Sequence, residues 1–227
     1  MATTAVNEAV FVNWAVSPAR LDRLWAAGWR HFGPCFFSYA TAECDGAVRH
    51  VQPLRLPLAN FEPSRSQRRV LRRNADLELR VQPTVLDEAR HRLFAAHKAR
   101  FRENIPDSLE NFLGPLPAFV PCENVEVGLY AAGRLVAASF LDLGAQAASS
   151  IYAIFDPAES RRSLGLCTML WEIDHARRHG CQYYYPGYAY HEPSPYDYKK
   201  RLAGLEWYDW QGNWRPLKDT GGTVPEP

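Results

Sequence analysis

The sequence predicts an α+β protein in which a mainly antiparallel sheet is flanked by helices. Three β-rich runs, at 125–131, 134–143 and 148–155, are joined by tight turns, and short turns connect antiparallel neighbours. A run with apolar residues spaced three and four apart follows at 163–179 and predicts a helix that Gly180 ends. A strand at 182–186 comes next. Because the first half of the chain mixes short helical and strand patterns, we expect an N-terminal α/β subdomain there.

Composition sets the class of protein. The chain has 227 residues, 47% of them hydrophobic, and a formal net charge of +1, so it can bury a substantial core as one large or two small domains. No apolar run approaches the roughly 20 residues that a membrane span needs. The first residues lack a basic stretch followed by an apolar one. These features predict a cytoplasmic protein with no membrane partner.

The first half begins with a helix, since Ser17 and Pro18 form a typical helix start and Gly28 a typical end. Strands are expected at 35–39 and 51–58, with a turn at 43–46 between them. The cysteines are odd in number, widely spaced and without a C-x-x-C pair, which gives little support to a disulfide framework or a zinc finger. They are Cys35, Cys44, Cys122, Cys167 and Cys181.

A run of arginines between Ser64 and Arg80 is the strongest local charge in the chain. At helical spacing these side chains form a basic stripe, which suits phosphate oxygens because guanidinium groups bind them in pairs of hydrogen bonds. The predicted stripe, a candidate phosphate-binding surface, consists of Arg65, Arg68, Arg69, Arg72 and Arg73. The alternative is an ordinary solvated helix whose charges meet Asp76, Glu78 and Asp87.

The next part of the chain predicts a longer helix opened by Pro83 and a short one at 108–113, followed by a proline-rich connector. The connector suggests a boundary between an N-terminal subdomain, residues 1–114, and a second domain, residues 115–218. Near the end, the aromatic residues of 205–214 predict a hairpin that closes the core, although such rings can also stack on RNA bases. Residues 219–227 are expected to form a flexible tail.

The segment after the third strand carries the clearest binding pattern. Asp156 and Pro157 end the strand, and the helix then opens on Arg161, Arg162, Ser163 and Gly165. Free backbone N–H groups, the positive end of the helix dipole and two guanidinium groups would share one solvent volume there, which suits a phosphate or carboxylate. The pattern fits neither a Walker loop nor a dinucleotide fingerprint. A solvated, arginine-rich helix start is the alternative.

Several ordered motifs together resemble a known family. FDPAESRRSLG, a helix, YYYPGY and the Tyr198-Lys199 pair, preceded by GWRHFG and NFEPSRSQRR, resemble the aminoacyl-tRNA–protein transferases of the N-degron pathway. These include bacterial aspartate/glutamate leucyltransferases and eukaryotic arginyltransferases. The strand, loop and helix also resemble the Gcn5-related N-acyltransferase superfamily, which implies an acyltransferase-like fold for the second domain.

The resemblance implies transfer of an amino acid from aminoacyl-tRNA, the co-substrate, to the amine of a protein, a peptide or a small molecule, with no further cofactor. An aminoacyl ester is already activated, so the reaction needs positioning, proton removal and oxyanion stabilisation rather than a covalent enzyme intermediate. Catalytic roles are expected of Asp156, Tyr188, Tyr198 and Lys199. Binding of the donor tRNA is expected of the basic stripe and of the helix start with Arg161, Arg162, Ser163 and Gly165. The expected aminoacyl or acceptor pocket consists of Tyr152, Tyr185, Gly187 and Tyr190. Asp156 can instead simply form a turn, and the tyrosines a buried strand; the oligomeric state stays open.

The chain also departs from the family pattern. Cys44 stands alone where the family has a metal-binding cysteine cluster, so we expect no metal. Segment 189–197 differs too, which predicts a reshaped pocket. Two other functions therefore remain: an acyl-CoA-dependent N-acetyltransferase, and a non-catalytic tRNA- or protein-binding descendant. Leu166 and Cys167 follow Gly165 where a CoA loop has small residues, and this disfavours CoA.

Overall fold

The computed structural model describes residues 4–6, 9–44, 46–102 and 105–217. The helices are α1 (Pro18–Ala26), α2 (Arg65–Arg73), α3 (Glu88–Lys98), α4 (Glu110–Leu113) and α5 (Leu164–Arg178), with 3₁₀ helices at Pro157–Arg162 and Asp197–Arg201. The strands are β1 (Thr4–Val6), β2 (Ala9–Val12), β3 (Arg30–Phe32), β4 (Cys35–Ser38), β5 (Thr41–Cys44), β6 (Ala47–Pro57), β7 (Glu78–Pro83), β8 (Asn124–Ala131), β9 (Arg134–Leu143), β10 (Ala147–Phe155), β11 (Tyr183–Tyr190), β12 (Glu206–Tyr208) and β13 (Trp214–Pro216).

Most strands join one sheet in the order β1-β5-β6-β11-β10-β9-β8-β7, with β12 and β13 attached beside β6. Among the described strands, β10 and β11 pair in parallel and the other neighbours pair antiparallel. The parallel pair follows from the connection, because α5 lies between β10 and β11 and returns the chain to the same end of the sheet. A second, small sheet has the order β2-β4-β3.

Helices cover both faces of the large sheet. Tyr184 packs in a core with Leu170 and Ile173 of α5, whereas Tyr185 packs in a core with Leu21 and Trp25 of α1. Because successive strand residues point to opposite faces, α5 and α1 lie on opposite sides of β11. The apolar spacing in α5 thus buries one helical face, as the sequence pattern requires.

The structure confirms the predicted succession of three antiparallel strands, a helix and a strand, and β11 extends beyond its predicted end at residue 186 to Tyr190. One predicted helix start was wrong, and so was the placement of Arg80. The helix predicted to open at Pro83 begins at Glu88, because the Asp87 side chain caps it, and Arg80 lies on β7 rather than on the basic helix.

The sequence pattern also missed the short strands β1, β2, β3 and β5, which are too brief to show alternation. Strands from both sides of the predicted boundary at 114 join the large sheet, and the division into substructures stays a prediction. The predicted tail, 219–227, lies outside the described residues. Across the described part of the chain, no helix combines the length and apolar character needed to cross a membrane.

Candidate functional site

The site begins where β10 and β11 part. The two strands pair only from Ala147 to Ser149 against Tyr183 to Tyr185. Beyond that point β10 stays with β9 while β11 stays with β6, and each has a register shift where the separation begins. A bulge bends a strand away from its partner. The result is a cleft between two parallel strands, here called the fork.

An arginine from the small sheet closes the base of the fork. Arg30, on β3, is 8% exposed and donates from Nη1 to the Ser149 hydroxyl and from Nη2 to the Ser150 carbonyl. Burial lowers the pKa of this guanidinium, while neighbouring groups such as Tyr188 and Asp142 oppose the shift. An arginine stays protonated even so, and a fixed positive charge therefore lies at the base of the fork.

Lys199 lies beside this arginine. Lys199 belongs to the 3₁₀ helix that follows β11, and its Nζ donates to the Tyr188 carbonyl over 3.1 Å. Loss of solvent around Nζ, together with the Arg30 charge, lowers its pKa to about 7, although Glu172 opposes the shift. Gly187 permits this approach: a Cβ there would lie 3.2 Å from Nζ, and its φ of +101° suits glycine. A lysine whose pKa lies near 7 can accept and release a proton at neutral pH.

A buried carboxylate reaches the fork from α5. Glu172 is 1% exposed and accepts hydrogen bonds from the Tyr184 hydroxyl at 2.5 Å and the Ser150 hydroxyl at 3.3 Å. Burial raises its pKa to about 7 despite these bonds and the Arg30 charge. The fork therefore combines two basic groups with one carboxylate, with Arg30 and Glu172 buried and Lys199 half-buried, which is typical of sites that handle charge and protons.

The predicted tyrosines divide between the fork and the packing around it. Tyr198 lies near the fork, where loss of solvent around its hydroxyl and the Glu172 carboxylate raise its pKa to about 12. Tyr152 stacks on Phe112 with ring centroids 4.0 Å apart, on the β10 side of the cleft, and burial raises its pKa to about 12.

Three other predicted site tyrosines lie on β11, one with an expected catalytic role and two from the expected pocket. The Tyr188 hydroxyl donates to the Gly28 carbonyl over 2.6 Å. Tyr185 faces the α1 core rather than the fork, and the Tyr190 ring lies 6.0 Å from Tyr196. The catalytic and pocket roles expected of these tyrosines stay predictions.

The Asp156 side chain forms hydrogen bonds with neighbouring residues of the chain and of β9. Its side chain accepts from the Ala158 N–H over 2.9 Å and from the Arg134 guanidinium. Partial burial raises the pKa of this carboxyl, but the bonds from Arg134 and Ala158 outweigh it and hold the pKa below its usual range. This geometry is what the turn alternative predicts for Asp156.

The start of α5 lies at the surface, with Ser163 exposed in a left-handed conformation, φ +54°. Arg162 is already paired with Asp76 at 2.8 Å and Glu159 at 2.9 Å, so it ties the loop together more than it offers free charge. Gly165 packs on Phe155, since a Cβ there would lie 3.3 Å from the ring. Arg161 is exposed.

The basic stripe lies next to this loop, where its Arg73 donates to the Arg161 carbonyl. The helix is set by a capping box between Ser64 and Gln67, and the five stripe arginines are exposed. The carboxylates of the alternative interpretation are used elsewhere: Asp76 binds Arg162, Glu78 binds Arg80, and Asp87 binds Arg90. The stripe and the exposed Arg161 thus form one basic face.

Sequence reasoning missed Arg30, Glu172 and Tyr184. Glu172 had a detectable pattern, because it lies three residues after Met169 and four before Ala176 on the buried face of α5, where a carboxylate is costly unless it is used. Arg30 lies in the GWRHFG motif, but nothing in its local pattern placed it in the site, since the partners of a short strand come from distant parts of the chain.

The parallel fork and the helix that crosses it belong to a mixed α+β fold whose sheet is mainly antiparallel and flanked by helices. Two solved structures support this fold: the C-terminal domain of a lysylphosphatidylglycerol synthetase from Agrobacterium fabrum (TM-score 0.51, 18% identity, covering 81% of this chain and 55% of that chain) and L-PGS from Bacillus licheniformis (TM-score 0.50, 11% identity, covering 82% and 54%). The chain spans about half the length of these two proteins. The predicted fold class is confirmed.

Sequence comparison is more specific. The family model of the arginine-tRNA-protein transferase C terminus matches residues 87–209, more than half of the chain. An aspartate/glutamate leucyltransferase from Marinobacter nauticus is 34% identical over 86% of this chain and 81% of its own length, and one from Alcanivorax borkumensis is 29% identical over 85% and 78%. The chain belongs to the aminoacyl-tRNA–protein transferase family, as its motifs predicted.

Proposed function

We propose that the protein transfers leucine from leucyl-tRNA to the α-amine of a protein or peptide whose first residue is aspartate or glutamate. The family membership supports transfer from aminoacyl-tRNA, and the names of the curated relatives support this donor and acceptor. Because charged tRNA is made in the cytoplasm, we place the reaction there.

The observation that carries the chemistry is the desolvated Lys199 Nζ beside Arg30 in the fork. The acceptor nitrogen attacks the ester carbonyl carbon, an amide bond forms, and the bond to the tRNA 3′ oxygen breaks. Neutral Lys199 accepts the proton that the attacking nitrogen loses and returns it to the departing 3′ oxygen. A base with a pKa near the working pH is the most effective kind.

Arg30 stabilises the negative charge that develops on the carbonyl oxygen. Its bonds to Ser149 and Ser150 hold it in place before reaction, so little reorganisation is needed in the transition state. Glu172 supports the proton-transfer step, because its carboxylate opposes the shift that would otherwise lower the Lys199 pKa further. The tRNA reaches the fork across the basic face, where the stripe arginines bind phosphates of the acceptor stem.

The direct test uses purified protein, aminoacyl-tRNAs carrying labelled leucine, arginine or other amino acids, and peptides that begin with aspartate or glutamate. We expect label from leucyl-tRNA to enter these peptides. Peptides of the same sequence with an acetylated N-terminus are the control and should stay unlabelled.

Label that stays on the tRNA with every amino acid and acceptor contradicts the proposal. A second measurement addresses the CoA alternative. Saturating acetyl-CoA should leave the melting temperature unchanged, whereas a CoA-dependent enzyme would be stabilised by its donor.

A further inference from the structure

A group of three metal-ligating side chains lies behind the fork, outside the proposed catalytic residues. His31, Cys122 and Asp142 are buried, and one ligand atom from each lies within 4.8 Å of the others. They come from β3, from the connector before β8 and from the end of β9. Within the residues that the structure describes, this is the group with metal-site geometry.

Hydrogen bonding leaves two of these groups facing each other. His31 Nδ1 lies 2.9 Å from the Gly33 carbonyl, which can only accept, so Nδ1 carries a hydrogen and Nε2 is left for another partner. Asp142 Oδ1 accepts from Asn124 over 2.7 Å, while Oδ2 lies 2.8 Å from His31 Nε2. Neither Nε2 nor Oδ2 has a well-oriented hydrogen bond. Two buried acceptors this close need a cation between them or a proton.

From this arrangement we infer that His31, Cys122 and Asp142 bind a structural zinc ion. Imidazole nitrogen, thiolate and carboxylate are the donors that zinc takes in proteins. Two anionic ligands and one neutral ligand balance its charge of +2, which suits a buried position. The bond from His31 Nδ1 to a backbone carbonyl is the usual outer contact of a zinc-bound histidine.

The fourth ligand would be a water molecule. A small cavity lined by His31, Asp142, Asn124 and Pro121 adjoins two of the three side chains, His31 and Asp142. It provides the space that a tetrahedral site needs beyond its protein ligands. The expectation of no metal rested on a missing cysteine cluster, whereas this site uses one cysteine and draws its other ligands from β3 and β9.

The zinc would hold the small sheet against the large one directly behind Arg30. His31 follows Arg30 on β3, and Asp142 pairs across the sheet with Ser149, the residue whose hydroxyl Arg30 binds. The metal would therefore fix both sides of the Arg30 contact. Its role is structural, and the inference goes beyond the proposed transfer reaction.

Cobalt substitution tests the site without any activity assay. The full chain, freed of any purification tag, is stripped with chelator and titrated with Co²⁺; we expect about one ion per chain and a thiolate-to-cobalt charge-transfer band. Cys122→Ala should abolish the band, and His31→Ala should weaken binding at least about tenfold. Cys167→Ala is the matched control, because it removes another buried cysteine, on α5, and should keep the band.

The same measurement can overturn the inference. Wild-type protein that shows no cobalt band, or a band that survives Cys122→Ala, would mean that His31 and Asp142 form a metal-free ion pair. If Cys122→Ala fails to fold, the wild type still decides: one equivalent of zinc should raise its melting temperature and chelator should reverse the rise. An unchanged melting temperature contradicts the site. A failed transfer assay would leave these readouts unaffected.

Discussion

The basic stripe and the fork are built from the same kinds of side chain and differ in their access to water. The stripe arginines on α2 are exposed, keep full charge and are screened by salt. In the fork, Arg30 is buried and Lys199 has lost enough solvent that its pKa lies near 7. Solvation therefore separates a surface suited to holding phosphate from a site suited to moving a proton.

This difference also separates their kinetic effects. Contacts far from the reacting ester bind the ground state and the transition state alike, so they change KM. Groups that act only as the amide forms change kcat. Replacing residues in each region therefore tests whether the two regions divide binding and chemistry as proposed.

The largest expected effect comes from Lys199. Lys199→Met removes the base, and we expect kcat to fall about 10²- to 10⁴-fold, the usual contribution of general base catalysis. Lys199→Arg keeps a positive charge, but the arginine cannot give up its proton, so kcat of this variant should fall by a similar factor. Single-turnover transfer from labelled leucyl-tRNA measures both. A Lys199→Arg variant with normal kcat would reduce Lys199 to a binding cation.

The pH dependence should distinguish the base more sharply. Lys199 acts only when neutral, so its protonation should add a fall of about tenfold per pH unit to the kcat/KM profile below about 7 and add none above it. Glu172 raises the pKa of Lys199, so Glu172→Gln should move this limb to lower pH. The acceptor amine also titrates, at about 8. The residual activity of Lys199→Arg shows the acceptor limb alone, and an unchanged limb in Glu172→Gln would contradict the coupling.

The stripe and the fork also differ in how much of their structure could be predicted from the sequence. The stripe could be read from the chain because five arginines lie within nine residues of one helix, and local spacing alone places them on its surface. The strand, helix and strand around the fork were predicted for the same reason. Lys199 and Gly187 were predicted from the family motifs in which they lie.

The interior of the fork could not be read in this way. Arg30 reaches Ser149 across 119 residues of chain, and Glu172 meets Tyr184 only after α5 packs on β11. Desolvation, which sets the pKa values of Lys199 and Glu172, is a property of this packing and not of spacing. The same limit applies to Arg162, whose predicted free charge is taken by Asp76, a partner 86 residues away.

A moderate effect is expected at Gly187. Gly187→Ala forces a φ of +101° on a residue with a Cβ and places that carbon 3.2 Å from Lys199 Nζ. Stability should fall by about 1–3 kcal/mol in denaturant unfolding, and kcat should fall because Nζ is displaced. Gly133→Ala is the matched control: it has a similar φ, +80°, with nothing near its Cβ, so it should lose stability and keep kcat. If the Gly187→Ala and Gly133→Ala variants lose kcat equally, Gly187 has no specific role in positioning Lys199.

The smallest effect belongs to the stripe. Arg69→Ala combined with Arg72→Ala removes two exposed charges of α2 that make no contact with Arg30 or Lys199 in the described structure, so KM for leucyl-tRNA should rise while kcat stays near the wild-type value. Binding also releases fewer counterions from the tRNA for each phosphate contact that is lost. The slope of log KM against log salt should therefore become shallower by about 1.4–1.8 for the two contacts.

Arg80→Ala is the control for net charge, because Arg80 is exposed on β7 and pairs with Glu78 instead of facing solvent alone. It should leave both KM and the salt slope unchanged. If the stripe variant behaves like this control, α2 is an ordinary solvated helix and the tRNA must approach the fork by another surface. If the variant instead loses kcat, the stripe takes part in the transition state, and the division between exposed binding charges and desolvated catalytic charges fails.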